Sequence, residues 1–571
     1  MVKEPNKNQK ALINEHRGIY LVNAGAGTGK TFTISRRYAE LLNRGAEPDD
    51  IFLATFTENA AENMKEKIIE HHGTDLGKLR DAPISTFHGF CNRLLLSEGF
   101  EAPGWIGCNE NITESTQTLS SEIQENQEFS RFYDQFRRRY QEHENFYPVI
   151  YDSSDLLDLI KSLAAKGIIP EKNGWYRGSE EMLEGDFGKW SQKLKEVNKP
   201  SGNRQCELLN KLNGMKKKTF KKESVKNKYD ISTGKQVDPE VMEEAYSEER
   251  DGLFDFLHDL YFEYINYALE RNYINFSFQL MFAFVLLMED QKLRGSLRFD
   301  YVMIDEFQDT NEIQFKISLL LSKTGNILAV GDWKQSIFSF QHAAVENITE
   351  FKRRLAEYYD QINADRQRVP YQLDLDGINR VKLDINYRSS QEILDFSEQA
   401  LTVEGKKKEE IEPIAGEVKL VAERDVPNTE ISAFTSDNEI DAVLAKLVEL
   451  VKSGDYSSNE KPLEYSDVAI FSRNRDFARR LDKRARELGV PVAYEGGVEI
   501  FKTDPAIILL AWIRLLEDGE SRRGWSVVLD EAGYNIAEIK YMLKEKDYPA
   551  DMLRFRKELS ECFDIGELAR A

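Results

Sequence analysis

The sequence predicts an α/β fold built on a parallel sheet, and three observations lead to that prediction. Short apolar segments of strand type alternate with amphipathic segments of helix type over residues 6–100. A glycine-rich turn at 24–31 joins the first strand to the first helix, and strand-type segments return at 299–304 and 326–330. Because consecutive strands connected through helices run parallel, this alternation predicts βαβ units. At 571 residues the chain is too long for one core, so we expect several domains.

The first core is predicted from five strand-type segments and the helices between them. Each strand-type segment is a short apolar run, which is typical of a strand that is buried on both faces. The predicted strands lie at 19–22, 51–55, 83–86, 299–304 and 326–330, and the predicted helices at 31–42, 58–70, 88–97 and 345–361.

A helical insertion and a second α/β segment complete the predicted organisation. Pro103 and three glycines at 99–107 break the first pattern, and charged helix-forming stretches follow at 121–143 and 154–165. These stretches predict a mostly helical domain inserted into the first core. Farther along we expect strands at 418–421, 467–471 and 491–494, helices at 440–452 and 476–488, and a helical stretch at 525–571.

Composition argues against several classes of protein. No apolar run reaches the roughly 18–20 residues that span a bilayer, so we expect no membrane segment. The four cysteines lie far apart without a CxxC pair, which argues against zinc, an iron–sulfur cluster or a disulfide framework and fits a reducing cytoplasm. The net charge of −22 weighs against a nucleic-acid partner, although binding needs only a local basic groove. A lysine-rich stretch at 211–228 is either such a groove or a solvated loop.

Residues 24–31 have the order of a phosphate-binding loop between a strand and a helix. In such a loop, backbone N–H groups point into one concavity and the helix N-terminus adds partial positive charge. Lys30 is expected to reach the β- and γ-phosphates of ATP, and Thr31 to ligate Mg²⁺. Ala24 stands where the first glycine is usual, and a flexible loop without ligand is the alternative. The other loop residues expected around the phosphates are Gly25, Ala26, Gly27, Thr28 and Gly29.

An acidic pair follows the fourth predicted strand. Asp305 is expected to hold Mg²⁺ through water, and Glu306 to take a proton from the water that attacks the γ-phosphate. Gln335, just past the next predicted strand, is placed to sense that phosphate. The alternative for the pair is an acidic surface turn. Phe338 and Phe340 suit stacking on nucleic-acid bases, although alternating phenylalanines more often belong to a core.

A set of ordered motifs resembles one known family. The loop at 24–31 is followed by Thr-Phe-Thr at 55–57, Ser-Thr-Phe-His at 85–88, Asp-Glu-Phe-Gln-Asp-Thr at 305–310, Gly-Asp at 331–332 with Gln-Ser-Ile at 335–337, and Asn-Tyr-Arg-Ser at 386–389. In this order the motifs resemble those of the UvrD/Rep family of superfamily 1 DNA helicases. The stretches at 31–34, 88–91 and 334–336 lean toward its RecB/AddA branch.

The resemblance implies two RecA-like domains with parallel sheets, each carrying a helical insertion, and an ATP site in the cleft between them. The implied activity is ATP hydrolysis that is stimulated by single-stranded DNA. This hydrolysis would drive 3′–5′ movement and unwinding of 3′-tailed duplex in repair or recombination. A helicase–nuclease partner subunit is a further expectation. The implied domains are a first core at 1–104 and 273–375, its insertion at 105–272, a partial second core at 376–515 and the start of a second insertion at 516–571.

The resemblance also assigns site residues by position. Gln9 matches the residue that reads the adenine edge, and Tyr387 matches the one that stacks on adenine. Arg388 matches the arginine that contacts the γ-phosphate from the second domain, where a positive charge stabilises the transferring group. Without the family, Tyr387 reads as a core aromatic and Arg388 as a surface charge. The positions that match DNA contacts are Phe56, Thr57, His88, Phe338 and Phe340.

Toward the end of the chain the sequence departs from the family pattern. Residues 495–517 are similar to the segment that precedes the family's second insertion. Two later motifs, one that grips DNA and one that brings a second arginine to the γ-phosphate, are not found, and neither is a nuclease domain. Two alternatives therefore stay open. One is a truncated or split helicase that binds ATP and DNA without efficient unwinding, and the other is a P-loop ATPase that acts as a switch.

Overall fold

The computed structural model describes residues 4–72, 79, 81–144, 147, 153–179, 250–336, 343–400, 419–424, 431–458, 461–494 and 504–560. Within the whole chain, two compact units are distinguished, residues 1–431 and 432–571. Some sequence predictions fall on segments that lie outside the described residues, namely Phe338, Phe340, the lysine-rich stretch at 211–228 and residues 495–503.

A six-stranded sheet forms the centre of the first unit, and all of its strand pairs are parallel. The sequence order of the strands differs from their order in the sheet, because helices cross over between them. The five predicted strands are confirmed, and a sixth adds to the edge. The strands are β1 (Ile19–Ala24), β2 (Ile51–Thr55), β3 (Ile84–Thr86), β4 (Tyr301–Ile304), β5 (Ile327–Gly331) and β6 (Asn379–Leu383), and the sheet order is β6-β1-β5-β4-β2-β3.

Both faces of this sheet are covered. Successive residues of a strand point to opposite sides of the sheet, so one strand can contribute side chains to a core on each side. Tyr20 and Val22 belong to the core on one side, together with apolar residues of the helices that follow β1 and β2. Ile19 and Leu21 belong to the core on the other side. The described α-helices of this unit are Lys7–Asn14, Lys30–Asn43, Glu58–His72, Phe87–Glu98, Glu122–Arg139, Ser153–Lys166, Arg250–Glu270, Phe276–Glu289, Gln291–Ser296, Glu312–Leu321, Glu346–Thr349, Phe351–Asn363 and Gln391–Ala400.

The predicted helical stretches between β3 and β4 are confirmed where the structure describes them. Helices Glu122–Arg139 and Ser153–Lys166 pack through Phe129, Phe132 and Leu163, among other residues. The same core continues without interruption to Phe52 on the sheet. The insertion therefore extends the core on that face of the sheet. The single helix predicted at 345–361 is instead two helices, Glu346–Thr349 and Phe351–Asn363, with Glu350 between them.

The edge strand β6 places the next residues beside the loop that follows β1. The family resemblance assigned residues 379–383 to the second core, whereas the structure pairs them with β1, from Tyr20 with Asn379 to Ala24 with Leu383. Because the strands are parallel, their carboxyl ends meet at one edge of the sheet, which is where α/β proteins place ligands. Beyond β6, residues Ile385–Asn386 pair with Val421–Ala422. The strand predicted at 418–421 is therefore confirmed only at Val421, because residues 419–420 form no strand and residue 418 lies outside the described residues.

In its described residues the second unit is mainly helical, with one short antiparallel strand pair, Ser457–Ser458 with Lys461–Pro462. Helices Glu439–Lys452 and Arg475–Glu487 confirm two predictions and pack through Leu444 and Leu481. The strands predicted at 467–471 and 491–494 are wrong, because the structure has no strand at those residues. An apolar run forms a strand only where neighbours cover it, and the Phe471 side chain is 93% exposed. The remaining helices, which share a core around Trp525, are Asp504–Glu517, Arg522–Glu531, Ile536–Glu545 and Ala550–Leu559.

Two further findings concern membrane-spanning helices and cysteines. Over the ranges that the structure describes, we find no helix that combines the length and the apolar character needed to cross a membrane. Cys91 and Cys108, the cysteines that fall within those ranges, are buried free thiols.

Candidate active site

The loop after β1 is a turn that depends on glycine. β1 ends at Ala24, and Gly29 is the N-cap of the following helix, with Thr31 in its first turn. Gly27 has a φ of +71° and Gly29 a φ of +82°, a region that other residues rarely adopt. The Thr28 hydroxyl closes the turn by donating to a loop carbonyl at 2.8 Å. A glycine-rich turn of this kind at a helix N-terminus is suited to binding an anion.

The sheet edge brings Lys30 and Glu306 together, although 276 residues separate them in sequence. Lys30 Nζ lies 2.6 Å from Glu306 Oε2, and the Lys30 side chain is only 10% exposed. Glu306 has a φ of +49°, a strained conformation for a residue other than glycine. Burial, together with the negative charge of Glu306, raises the pKa of Asp305 well above its usual range. A cation placed beside Asp305 would lower this pKa, because a positive charge favours the ionised carboxylate.

A chain of hydrogen bonds extends from the acidic pair to the end of β5. Gln308 Nε2 donates to Glu306 Oε2 and to Asp309 Oδ2, each at 3.0 Å. Gln308 Oε1 accepts from the backbone N–H of Asp332 at 2.9 Å. Gln335 Nε2 donates to Asp332 Oδ2 at 2.6 Å. The structure thus connects Glu306 to Gln335 through two intermediate residues.

The two residues matched to adenine recognition lie beside the same loop. Gln9 forms a capping box with Asn6 at the start of the first helix, and its Nε2 donates to the Thr28 carbonyl at 3.1 Å. Asn6 Nδ2 donates to the Tyr387 hydroxyl at 3.0 Å. The first helix, the loop and the segment after β6 therefore meet at one place.

The segment that contains Arg388 packs directly on the loop. Asn386 Nδ2 donates to the Ala26 carbonyl at 2.5 Å, and the Tyr387 backbone N–H donates to the Gly27 carbonyl at 2.9 Å. Asn386 Oδ1 accepts the backbone N–H of Arg388 at 2.8 Å. A Cβ added at Gly27 would come within 2.7 Å of the Arg388 Cβ, so glycine permits this approach. Arg388 is thereby placed beside the loop through its backbone.

The described candidates for DNA contact follow the ends of β2 and β3. Phe56 and Thr57 come directly after β2, and the Thr57 hydroxyl accepts from the Ala60 N–H at 3.1 Å. Burial lowers the pKa of His88 to about 4, so its imidazole is neutral at pH 7. The Phe276 ring lies edge-on to His88, with 5.3 Å between centroids, and 44% of Phe276 is exposed.

Three residues of this region, Gln308, Asn386 and Phe276, have no role predicted from the sequence. Gln308 and Asn386 lie inside motifs that match the family, so their place in those motifs could have marked them as candidate site residues. Phe276 begins the helix Phe276–Glu289, whose residues 278–288 are all buried. Because that stretch is apolar except for Gln279, the sequence alone does not distinguish the exposed Phe276 from its core neighbours.

Two family models match the chain. The model of the UvrD/REP helicase N-terminal domain matches residues 5–356, and that of the UvrD-like helicase C-terminal domain matches residues 381–542. Because the C-terminal-domain model is matched, the expectation that the chain lacks the C-terminal helicase motifs is not supported.

Several curated helicases are similar to the chain over most of its length. ATP-dependent DNA helicase UvrD1 of Mycobacterium tuberculosis is 23% identical over 524 residues, which is 89% of this chain and 52% of the relative. DNA helicase II of Escherichia coli is 26% identical over 518 residues, 90% of this chain and 54% of the relative. ATP-dependent DNA helicase PcrA of Bacillus subtilis is 23% identical over 523 residues, 90% of this chain and 53% of the relative.

These matches define the family but not its RecB/AddA branch. The chain spans about half the length of the curated relatives it matches. Their names do not support the predicted lean toward RecB/AddA. The N-terminal-domain model alone covers more than half of the 571 residues. The chain therefore belongs to the UvrD/REP helicase family.

Proposed function

We propose that this protein is an ATP-dependent DNA helicase or translocase whose ATP hydrolysis is stimulated by single-stranded DNA. The observation that carries the proposal is the 2.6 Å contact between Lys30 Nζ and Glu306 Oε2 at the carboxyl edge of the sheet. A phosphate-binding loop beside a carboxylate is the arrangement that hydrolysis of a nucleoside triphosphate needs. Three similar proteins that carry the name DNA helicase support the same activity.

Each residue at this edge has a separate role in the proposed hydrolysis. Lys30 binds the β- and γ-phosphates over the loop at 24–31. Glu306 takes the proton of the attacking water, and Gln335 and Arg388 contact the γ-phosphate. The adenine lies between the first helix and the segment after β6, where Gln9 and Tyr387 are the binding residues.

Mg²⁺ fits the donors that are present. Thr31 and Asp305 offer a hydroxyl and a carboxylate, and oxygen is the ligand that Mg²⁺ prefers. The carboxylates of Asp305 and Glu306 would attract the ion, which would in turn lower the pKa of Asp305 that burial and Glu306 raise. The ion supplies neutralisation of the phosphate charge, and these two residues would hold it.

Single-stranded DNA is proposed to lie along the ends of β2 and β3. Phe56 and Phe276 would stack on bases, and stacking tolerates any base, as a motor on arbitrary sequence requires. His88 is neutral at pH 7, so it would contact DNA through its ring edge and would leave phosphate binding to other groups. Thr57 is exposed beside them. Phe338 and Phe340 stay proposed contacts on the strength of the family pattern.

Directional movement and cellular role extend the same proposal. We expect 3′–5′ travel and unwinding of 3′-tailed duplex, with a role in repair or recombination, as the family resemblance implies. A helicase–nuclease partner subunit stays a prediction, which copurification at native abundance would test.

The test is the rate of ATP turnover with and without a single-stranded oligonucleotide. We expect DNA to raise the rate several-fold in the wild type. Lys10→Ala, a change at an exposed lysine of the first helix, should behave like the wild type. A rate that is the same with and without DNA would contradict the motor and would favour the P-loop switch. Retained DNA binding without unwinding would favour the binding-only alternative.

A further inference from the structure

Gln308 occupies a buried position between the acidic pair and the end of β5. The residue is 2% exposed, and both the nitrogen and the oxygen of its side-chain amide form hydrogen bonds. The amide nitrogen donates to two carboxylates, those of Glu306 and Asp309, and the amide oxygen accepts from the Asp332 backbone. An amide is the only side-chain group that can donate to two carboxylates and also accept from an N–H.

The network fixes the orientation of this amide. In the opposite orientation the amide oxygen would face the Glu306 carboxylate, and the NH₂ group would face the Asp332 N–H. Both contacts would be repulsive, so only one orientation is compatible with the surroundings. Space is equally restricted, because a Cβ added at Gly331 would lie 2.6 Å from Gln308 Oε1. Gly331 thus allows the amide to approach the backbone at the end of β5.

Lys30 and Gln308 bind the same oxygen of Glu306. Lys30 Nζ lies 2.6 Å from Glu306 Oε2, and Gln308 Nε2 lies 3.0 Å from it. If Lys30 moves onto the phosphates of a bound nucleotide, as the proposed function requires, Gln308 still donates to that oxygen. The left-handed backbone of Glu306, with its φ of +49°, needs such support because the conformation is strained.

We propose that Gln308 is a positioning residue that holds the Glu306 carboxylate in its catalytic orientation and links it, through Asp332, to Gln335. The inference rests on the proposed ATP hydrolysis. It assigns Gln308 no contact with the nucleotide. Its removal should therefore slow the chemical step and leave ATP binding almost unchanged.

The test compares Gln308→Glu with the wild-type chain. Glutamate has the same length and keeps an acceptor for the Asp332 N–H, but it has no NH₂ group to donate and adds a charge beside two carboxylates. We expect kcat for DNA-stimulated ATP hydrolysis to fall about 10-fold to 100-fold, since a misplaced catalytic group costs that order of rate. The Kd of a fluorescent ATP analogue and the KM for ATP should change less than about threefold, well inside one factor of 10.

Two further variants separate positioning from folding. Gln314→Glu is a matched control, because Gln314 is also buried and its Oε1 accepts from the Asn311 N–H, which glutamate does equally well. It should keep the wild-type kcat. Gly331→Ala leaves Gln308 chemically unaltered but places a Cβ 2.6 Å from its Oε1 and 3.0 Å from its backbone nitrogen. By displacing Gln308 it should reproduce the loss of kcat with normal ATP binding.

The outcomes distinguish this inference from the proposed function. Wild-type turnover together with a normal kcat in Gln308→Glu would overturn the inference alone. An equal loss of kcat and ATP affinity would overturn it as well, since a general structural defect predicts that pattern. A wild-type chain that binds ATP and never hydrolyses it would overturn the proposed function and this inference together.

Discussion

Lys30 and Glu306 form one ion pair in the structure, yet the two side chains serve different steps of the proposed reaction. Lys30 is the cation that faces the loop, and Glu306 is the carboxylate placed to accept a proton. Their substitutions should therefore differ in effect although they break the same contact.

Lys30→Ala should abolish nucleotide binding, whereas Glu306→Gln should keep binding and lose hydrolysis. The first change removes the charge that attracts the phosphates, and the second keeps the size of the side chain but removes its basicity. Equilibrium binding of a fluorescent ATP analogue and steady-state phosphate release measure the two effects. Normal hydrolysis by Glu306→Gln would show that another group is the base.

Phe56 and Phe276 test the proposed stacking surface. Replacing either with alanine should weaken single-strand binding by about 1–3 kcal/mol, the usual contribution of one stacked base. Fluorescence anisotropy of a labelled oligonucleotide measures the change. Phe471→Ala is a suitable control, because Phe471 is a strongly exposed phenylalanine of the second unit to which we assign no role. Equal losses in all three variants would contradict a local stacking site.

At the scale of elements, the packing of the loop after β1 requires a close approach by the segment after β6. Gly27 and Gly45 both have positive φ, of +71° and +95°, but only Gly27 has other atoms near its missing Cβ. A comparison of the two separates backbone strain from steric contact.

Gly27→Ala should reduce both stability and ATP turnover, whereas Gly45→Ala should reduce stability alone. Each variant suffers the strain of a left-handed residue, about 1–2 kcal/mol. Gly27→Ala also pushes Asn386 and Arg388 away from the loop. Thermal unfolding and ATP turnover, measured on the same preparations, check this. Full turnover by a stable Gly27→Ala protein would argue against the packing we describe.

A second element, the helix Arg250–Glu270, is fastened to its neighbours through Asp259. One carboxylate oxygen faces His143 Nε2 at 2.9 Å and the other faces His258 Nδ1 at 3.0 Å. His258 Nε2 also faces the carbonyls of Glu171 and Gly174. Burial lowers the pKa of His258, but hydrogen bonds to Asp259 and to the two carbonyls outweigh burial, so the pKa is raised.

The raised pKa of His258 predicts a pH-dependent stability. Because the folded value lies above the unfolded value of about 6.5, the stabilisation is fully present below that pH and is lost as pH rises through the folded pKa. Asp259→Asn should therefore lower the melting temperature more at pH 6 than at pH 8.5. Asp255→Asn, at an exposed position of the same helix, is the control. Circular-dichroism melts at both pH values test this, and a pH-independent difference would contradict it.

The elements that the sequence predicts well are those that pack against nearby segments or are covered in the same way on both faces. β2 and β5 are buried at every position and almost entirely apolar, as is typical of strands covered on both faces, so their type is evident from composition. The segments at 467–471 and 491–494 have a similar apolar character but form no strand. Strand formation depends on neighbours that are distant in sequence, and a short apolar run does not encode those neighbours.

At the scale of the whole molecule, the motifs that follow different strands are predicted to lie together. The structure explains this, because the strands are parallel and their carboxyl ends lie at one edge of the sheet. Lys30, Asp305 and Gln335 follow three different strands, so their convergence depends only on sheet topology. The role proposed for Gln308 is not evident from the sequence, because it depends on an amide orientation that two carboxylates and the Asp332 backbone N–H determine together. The DNA-stacking pair Phe338 and Phe340 lies outside the described residues and stays a prediction.

The most direct test of the proposed motor is the unwinding of tailed DNA duplexes. Wild-type protein should separate a duplex with a 3′ single-stranded tail when ATP and Mg²⁺ are present, and should leave a matched 5′-tailed duplex intact. Glu306→Gln should bind the 3′-tailed duplex without separating it. Strand separation that needs no ATP, or equal separation of both duplexes, would contradict the proposal of a 3′–5′ motor driven by the Lys30–Glu306 site.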